Sequence, residues 1–164
     1  MMTDSISIHS IRLREITTDD LPIFFQQQLD QEANYMAAFT AKDPTDRQAF
    51  DVHWNKILAD KGITIRTILY DGQVAGSVLC HSWGGDPEIS YWLGKEFWNK
   101  GITTQGLALF LEVVTTRPLY ARVAKDNIAS IRVLAKNGFA LSGEGMWYSN
   151  ARGKEIEELV WVLR

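Results

Sequence analysis

The chain has one cysteine, Cys80, in 164 residues. It cannot form an internal disulfide, which fits a reducing compartment. There are only four prolines, and no proline-rich linker, low-complexity tail or internal repeat breaks the chain. One domain over residues 1–164 is expected, long enough to bury a core. No stretch is long and apolar enough to cross a bilayer, and the opening MMTDSISIHSIRLREITTDD lacks the continuous apolar run of a leader. A soluble cytoplasmic protein without a membrane partner is the expectation. Neither sign of charge dominates, with 17 Lys and Arg against 20 Asp and Glu. The net charge of −3 argues against a nucleic-acid partner, but leaves room for a local basic pocket. Tryptophan, by contrast, is plentiful at six residues, and it lines concave ligand surfaces as well as cores.

Apolar periodicity orders the elements. SIHSIRLREIT (7–17) alternates Ile8, Ile11 and Leu13 with polar residues and reads as a strand. TTDDLPIFFQQQLD then reads as a helix, capped by Thr18 or Asp19, with Asp20 in its electropositive first turn and Pro22 near its start. A second helix fits 43–61, where Phe50, Trp54, Ile57 and Leu58 recur at helical spacing and Gly62 ends the run. Strands at 64–70 and 74–83 flank the Asp71-Gly72 turn signal, and a third covers 88–94. A helix from about Thr103 to Thr115, a strand at 118–124, a helix closed by Gly138 and a hairpin around ARGK complete the chain. The meander predicts antiparallel pairing, and the later strand–helix–strand segment predicts a parallel, right-handed crossover. The expected class is α/β in the α+β sense: a mixed, mostly antiparallel central sheet flanked by helices.

FWNKGITTQGLALFLEVV (97–114) sets a short basic loop against the start of an amphipathic helix. Glycine before a helix is common, and Thr103 or Thr104 suffices as a cap. The same residues also suit a phosphate seat. Main-chain N–H groups from Asn99 to Thr104 would converge with the helix dipole behind them, Gly101 would keep bulk away, and Lys100 would add charge. No Gly-Lys-Ser/Thr triplet exists anywhere, so this is no Walker loop, and one glycine where three are needed is not the Rossmann pattern. From the loop alone both readings stand.

A second segment, YARVAKDNIASIRVLAKNGF (120–139), brings a strand, then Asn127 and Ser130, then a Gly138-Phe139 stop. Together the two segments resemble the GNAT superfamily of acyl-CoA-dependent N-acyltransferases, and within it the Rim-type branch that acetylates N-termini of ribosomal proteins. ISYWLGKEFWNKGITTQGL is similar to that branch's acyl-CoA signature, ARVAKDNIASIRVLAKNGF to its following strand and helix, and IRLREITTDDL to its opening. The family loop, Gln/Arg-x-x-Gly-x-Gly/Ala, reads here Trp98-Asn99-Lys100-Gly101-Ile102-Thr103. Trp98 in the first position is habitual in the branch. Asn99 stands where a second Gly is common, Thr103 where Gly or Ala is usual, and Gly106 where the branch often has Ala.

The resemblance implies two parallel strands, 88–94 and 118–124, splayed into a V with a bulge near Leu93-Gly94. Acetyl-CoA would bind there as co-substrate. Its pantetheine would pair with main-chain groups of Trp92 and Leu93, and its pyrophosphate would sit on Trp98, Asn99, Lys100, Gly101, Ile102, Thr103 and Thr104. The implied reaction is direct attack of a primary amine on the acetyl thioester through a tetrahedral intermediate, with no metal required. Many family members carry a Tyr seven residues after the helix-start Asn as proton donor; here that position is Leu134. Ser130 is the branch's substitute donor. Asn127 is either a CoA contact or a plain cap.

A Lys amine titrates near 10.4 and an α-amine near 8, so a base must take a proton at neutral pH. Glu88 opens the splayed strand on the face of Ser90 and Trp92, where desolvation would raise its pKa; His81 is the rival. The acceptor, a small metabolite or peptide amine, would meet Phe24, Phe25, Tyr35, Met36 and Phe39, with NYMAAFTAKDP (34–44) as a mobile rim and Trp83 at the mouth. No acidic cluster marks a polyamine site. Homodimers are frequent in the family, and the ARGK hairpin or a sheet edge would supply the contact. Two other classes fit the same residues: a non-catalytic acyl-CoA sensor of the same fold, and a nucleotide-binding module using the loop for another diphosphate.

Overall fold

A computed structural model describes residues 9–164; Ile8 of the first expected strand lies outside the described residues. The chain forms β1 (Ile11–Arg14), α1 (Leu21–Gln28), α2 (Gln31–Ala37), α3 (Arg47–Ala59), β2 (Thr64–Tyr70), β3 (Gln73–His81) and β4 (Glu88–Leu93). Then come α4 (Ile102–Val113), β5 (Leu119–Ala124), α5 (Ile128–Lys136), β6 (Ala140–Ser149) and β7 (Lys154–Leu163). The strands make one sheet in the order β1-β2-β3-β4-β5-β7-β6. Every neighbouring pair is antiparallel except β4 and β5. The expected mixed sheet is therefore present.

Local chemistry explains most boundaries. Asp71 and Gly72 both take left-handed φ (49° and 80°), as a tight two-residue turn between β2 and β3 requires. The first expected helix forms as α1, and α2 follows it as a further, unexpected helix, because Asp30 caps it by accepting from the Ala33 N–H at 2.8 Å. Asp46 caps α3 in the same way through Ala49 at 3.0 Å, which leaves 43–45 outside it. Gly62 does not end α3. Asp60 does, in extended conformation, with its carboxylate accepting from the Gly62 N–H at 2.8 Å. Asp20 stands in the acidic first turn at the entry to α1, as expected, but buried. It is 2% exposed and receives both Arg14 Nη1 and Nη2 at 2.7 Å and the Thr67 hydroxyl at 2.7 Å.

Two cores sandwich the sheet. One joins α4 and α5 to it through Ile68, Val78, Ile89, Leu107, Phe110 and Leu134. The other, under α1 and α3, is built on Phe24, Phe50, Trp54, Ile57 and Ile65. Alternation along β4 therefore sends Ile89, Tyr91 and Leu93 to the α4/α5 side and Glu88, Ser90 and Trp92 to the other. Gly106 in α4 lies against Ile68, where a Cβ would sit 3.4 Å from the Ile68 Cδ1.

β4 pairs with β3 over its whole length, from His81–Glu88 to Gly76–Leu93, but with β5 only at Glu88–Tyr120 and Ile89–Ala121. β5 continues instead along β7 for six pairs. The strands thus part after Ile89. The bulge is not at Leu93-Gly94: one register shift lies between β6 and β7 at Leu141/Gly143, and another between β2 and β3, with Ala75 the extra residue. Gly76, next to it, permits the close approach of β4, since a Cβ there would collide with the Trp92 carbonyl.

Candidate functional site

The loop from β4 to α4 lies beside the parting strands. Trp98 Nε1 donates to the Leu93 carbonyl at 3.0 Å and so staples the loop to the end of β4. Asn99 (φ 62°) and Gly101 (φ 73°) are both left-handed, with Lys100 between them. Asn tolerates that region better than most side chains, which accounts for Asn99 in place of a second glycine. Gly101 is the cap of α4, and no side chain caps the helix. Thr103 and Thr104 are therefore first-turn residues, not caps. Ile102 buries its side chain (1% exposed) and has only its N–H to offer a ligand. The first N–H groups of a 12-residue helix thus open, uncapped, beside the gap.

Across the gap, α5 begins with Asn127, whose Oδ1 accepts from the Ser130 N–H at 3.3 Å. The cap role of Asn127 is a fact, and its amide nitrogen remains for a ligand. Ser130 Oγ lies 2.6 Å from the Tyr91 hydroxyl. Burial pushes the Tyr91 phenol up to about 12, with the Ser130 hydrogen bond pulling the other way, so it stays protonated at neutral pH. Tyr91 does not follow from motif reading. Strand alternation is the signal that finds it, because it places Tyr91 opposite Trp92 and toward α5. Leu134 is 1% exposed and belongs to the core.

The remaining predicted residues lie on the other face. Trp92 lines a cavity of about 450 Å³ between β3, β4, α1, α3 and the 38–46 segment, so only its main chain reaches the gap. Glu88 is not among the cavity walls. Its neighbours are His81, opposite it on β3, Arg122 with Nε at 3.7 Å, and beyond that Glu158, bound to Arg122 at 3.1 Å. Burial raises the Glu88 pKa, His81 and Arg122 oppose the shift, and Glu158 adds to it. His81 stacks on Trp83 at 4.7 Å and its Nδ1 accepts from the Trp83 N–H. Trp83 sits beside a second hollow with Lys56 and Asp60, with His53 a wall of both that hollow and the cavity.

Phe24 and Phe39 line the cavity, whereas Tyr35 is half exposed beneath Arg152. The expected mobile rim is anchored. Ser149 Oγ donates to Ala38 O at 2.6 Å, Asn150 Nδ2 to Thr40 O at 3.2 Å and Arg152 Nε to Tyr35 O at 2.9 Å. Arg152 also forks onto Asp126 at 2.6 and 2.9 Å, so the ARGK turn clamps the rim and the start of α5 within one chain.

The family model for the acetyltransferase (GNAT) domain matches residues 10–140. The chain belongs to the GNAT acetyltransferase family. Among solved structures, this GNAT chain is similar to Mycobacterium smegmatis RimJ in complex with CoA-disulfide, at 21% identity over 93% of this chain and 81% of that one, TM-score 0.78. A RimL ribosomal L7/L12 α-N-protein acetyltransferase in complex with CoA gives 20% identity, 93% and 94% coverage and TM-score 0.74. Spermidine N-acetyltransferase from Vibrio cholerae, with CoA and spermine, gives 15% identity, 93% and 95% coverage and TM-score 0.74. At these identities the likeness concerns the fold. No curated protein matches the sequence. Among the described residues of the GNAT chain, no helix is long and apolar enough to cross a membrane.

Proposed function

We propose that the chain moves the acetyl group of acetyl-CoA to a primary amine of a small metabolite or peptide N-terminus. The observation that carries this reading is the parting of β4 from β5 beside the uncapped start of α4. Ser90 to Leu93 leave main-chain groups without a β5 partner among the described residues, an edge on which pantetheine would add like a strand. The left-handed Asn99 and Gly101 turn the loop toward α4, where pyrophosphate would meet the N–H groups and Lys100.

The amine would arrive from the cavity side of β4. Its nitrogen attacks the thioester carbon while Glu88, working through water, takes the proton that nitrogen loses. A main-chain N–H on the open edge of β4 holds the oxyanion. The carbon–sulfur bond then breaks and the electron pair stays on sulfur. Tyr91, firmly protonated, shares a 2.6 Å hydrogen bond with Ser130 Oγ; with Tyr91 as the donor in that pair, the Ser130 hydrogen is left for the thiolate. A thiolate is a far weaker base than a serine alkoxide, so Ser130 stabilises it by a hydrogen bond, and its proton comes from water.

Calorimetric titration with acetyl-CoA, beside ATP and a Gly101→Glu variant, tests the site. Micromolar binding that the variant loses, with ATP silent, is expected. Silence toward acetyl-CoA would overturn the reading. The position of Glu88 outside the cavity walls favours one second reading, a sensor that binds acyl-CoA without transfer.

A further inference from the structure

The cavity on the α1/α3 face of β4 has a composition that defines its guest. Its inner wall is aromatic: Phe24 and Phe50 lie 5.3 and 6.0 Å from Trp54, ring centre to ring centre. Its two carboxylates are exposed and at the rim, each occupied locally. Asp43 accepts from the Thr45 N–H and hydroxyl at 3.0 and 2.6 Å, and Asp46 caps α3. His53, the other titratable wall with acid–base chemistry near neutrality, has its pKa lowered by burial and then by Lys56, so it is uncharged at neutral pH. Nothing inside balances a second ammonium group.

A second, independent observation concerns polar atoms. Among the described residues, four buried side-chain nitrogen or oxygen atoms have no hydrogen-bond partner, and three of them belong to walls of this cavity: Gln27 Oε1, Thr40 Oγ1 and Trp92 Nε1. Gln27 is 9% exposed, and its Nε2 is fixed on the Ala75 carbonyl at 3.1 Å, so its oxygen can only wait for a donor. The Trp92 indole N–H needs an acceptor. Buried groups of this kind are normally satisfied, and around a cavity the missing partners are those of a ligand.

We propose that this cavity takes a primary amine with a flat apolar body and a carbonyl next to the amine, and rejects polycationic amines. The amine N–H meets Gln27 Oε1, the carbonyl meets Trp92 Nε1, Thr40 serves either group, and the body stacks among the aromatic rings. An aromatic amino-acid amide and a peptide beginning with such a residue share this chemistry. The inference rests on the transferase reading only in calling this guest the acceptor.

The test is equilibrium binding to the full chain with CoA present, read by tryptophan fluorescence, so that no turnover is needed. The probes are phenylalanine amide, a tripeptide beginning with phenylalanine, 2-phenylethylamine and spermidine. The amide or the tripeptide should bind at least about tenfold more tightly than phenylethylamine, which lacks the carbonyl, and about a hundredfold more tightly than spermidine. Preference between amide and tripeptide identifies the source. Trp92→Phe, checked for retained CoA binding, should narrow the amide-to-phenylethylamine ratio toward one. Spermidine binding as tightly as the amide, an unchanged ratio in Trp92→Phe, or no binding by any probe overturns the proposal. Tight binding of the amide without its acetylation would sink the transferase reading and leave this one standing.

Discussion

The Tyr91–Ser130 pair is the single contact on which the proposed departure of the thiolate turns. Tyr91→Phe removes only the hydroxyl and leaves the ring in place. It should lower kcat about tenfold while the KM for acetyl-CoA stays within about twofold; Ser130→Ala should do the same and the double variant no more. A Tyr91 that merely packs would change melting temperature and not kcat. Glu88 gives a pH test. Its raised pKa means that the base form is lost as pH falls through a value above the ordinary carboxylate range, so kcat/KM should fall on that acid limb. Glu88→Gln should abolish the limb along with most of the activity. Retention of the limb in that variant would move the role to His81.

At the level of elements, the site depends on how closely β3 and β4 approach beneath the parted strands. Gly76→Ala puts a methyl into the Trp92 carbonyl, and neither backbone can yield without breaking the ladder. Chemical denaturation should show a loss of about 3 kcal/mol or more. Gly106→Ala is the contrasting case. Its Cβ would meet the Ile68 Cδ1 at 3.4 Å, close to ordinary contact, while the helix gains up to about 1 kcal/mol of propensity. Stability should rise or hold. A loss comparable to Gly76→Ala would mean that α4 and β2 pack too tightly to admit a methyl group.

Across the whole molecule, Asp20 ties β1, the turn before α1 and β2 together through Arg14, the Thr17 N–H and Thr67. Burial pushes its pKa up, but those partners outweigh burial and hold it below the usual carboxylate value. A depressed folded pKa contributes stability that is present above the unfolded value, about 3.9, and lost as pH falls through the folded value. Thermal stability should therefore fall on acidification below pH about 4. Asp20→Asn should remove that part of the acid sensitivity and cost about 2 kcal/mol near neutrality through the lost charge-assisted hydrogen bonds, since Arg14 itself is 36% exposed and solvent screens its charge. An unchanged acid profile in Asp20→Asn would exclude this role.

The sequence by itself determined whatever nearest neighbours decide. β2 spans the expected 64–70, the Asp71-Gly72 turn is left-handed, and α5 starts at the Asn127 cap. The 98–104 loop with its partner segment carried the family, because residue types at short spacing record backbone conformation and ligand contact together. Tertiary structure alone decided the rest. Tyr91 meets Ser130 39 residues on, Asp20 meets Thr67 47 residues on, and Ser149 holds Ala38 111 residues back. Such contacts leave no period in the sequence, since they depend on which faces the sheet order turns toward one another. The same order drew Glu88 into a row of charges and gave the cavity wall to Trp92 and its aromatic neighbours.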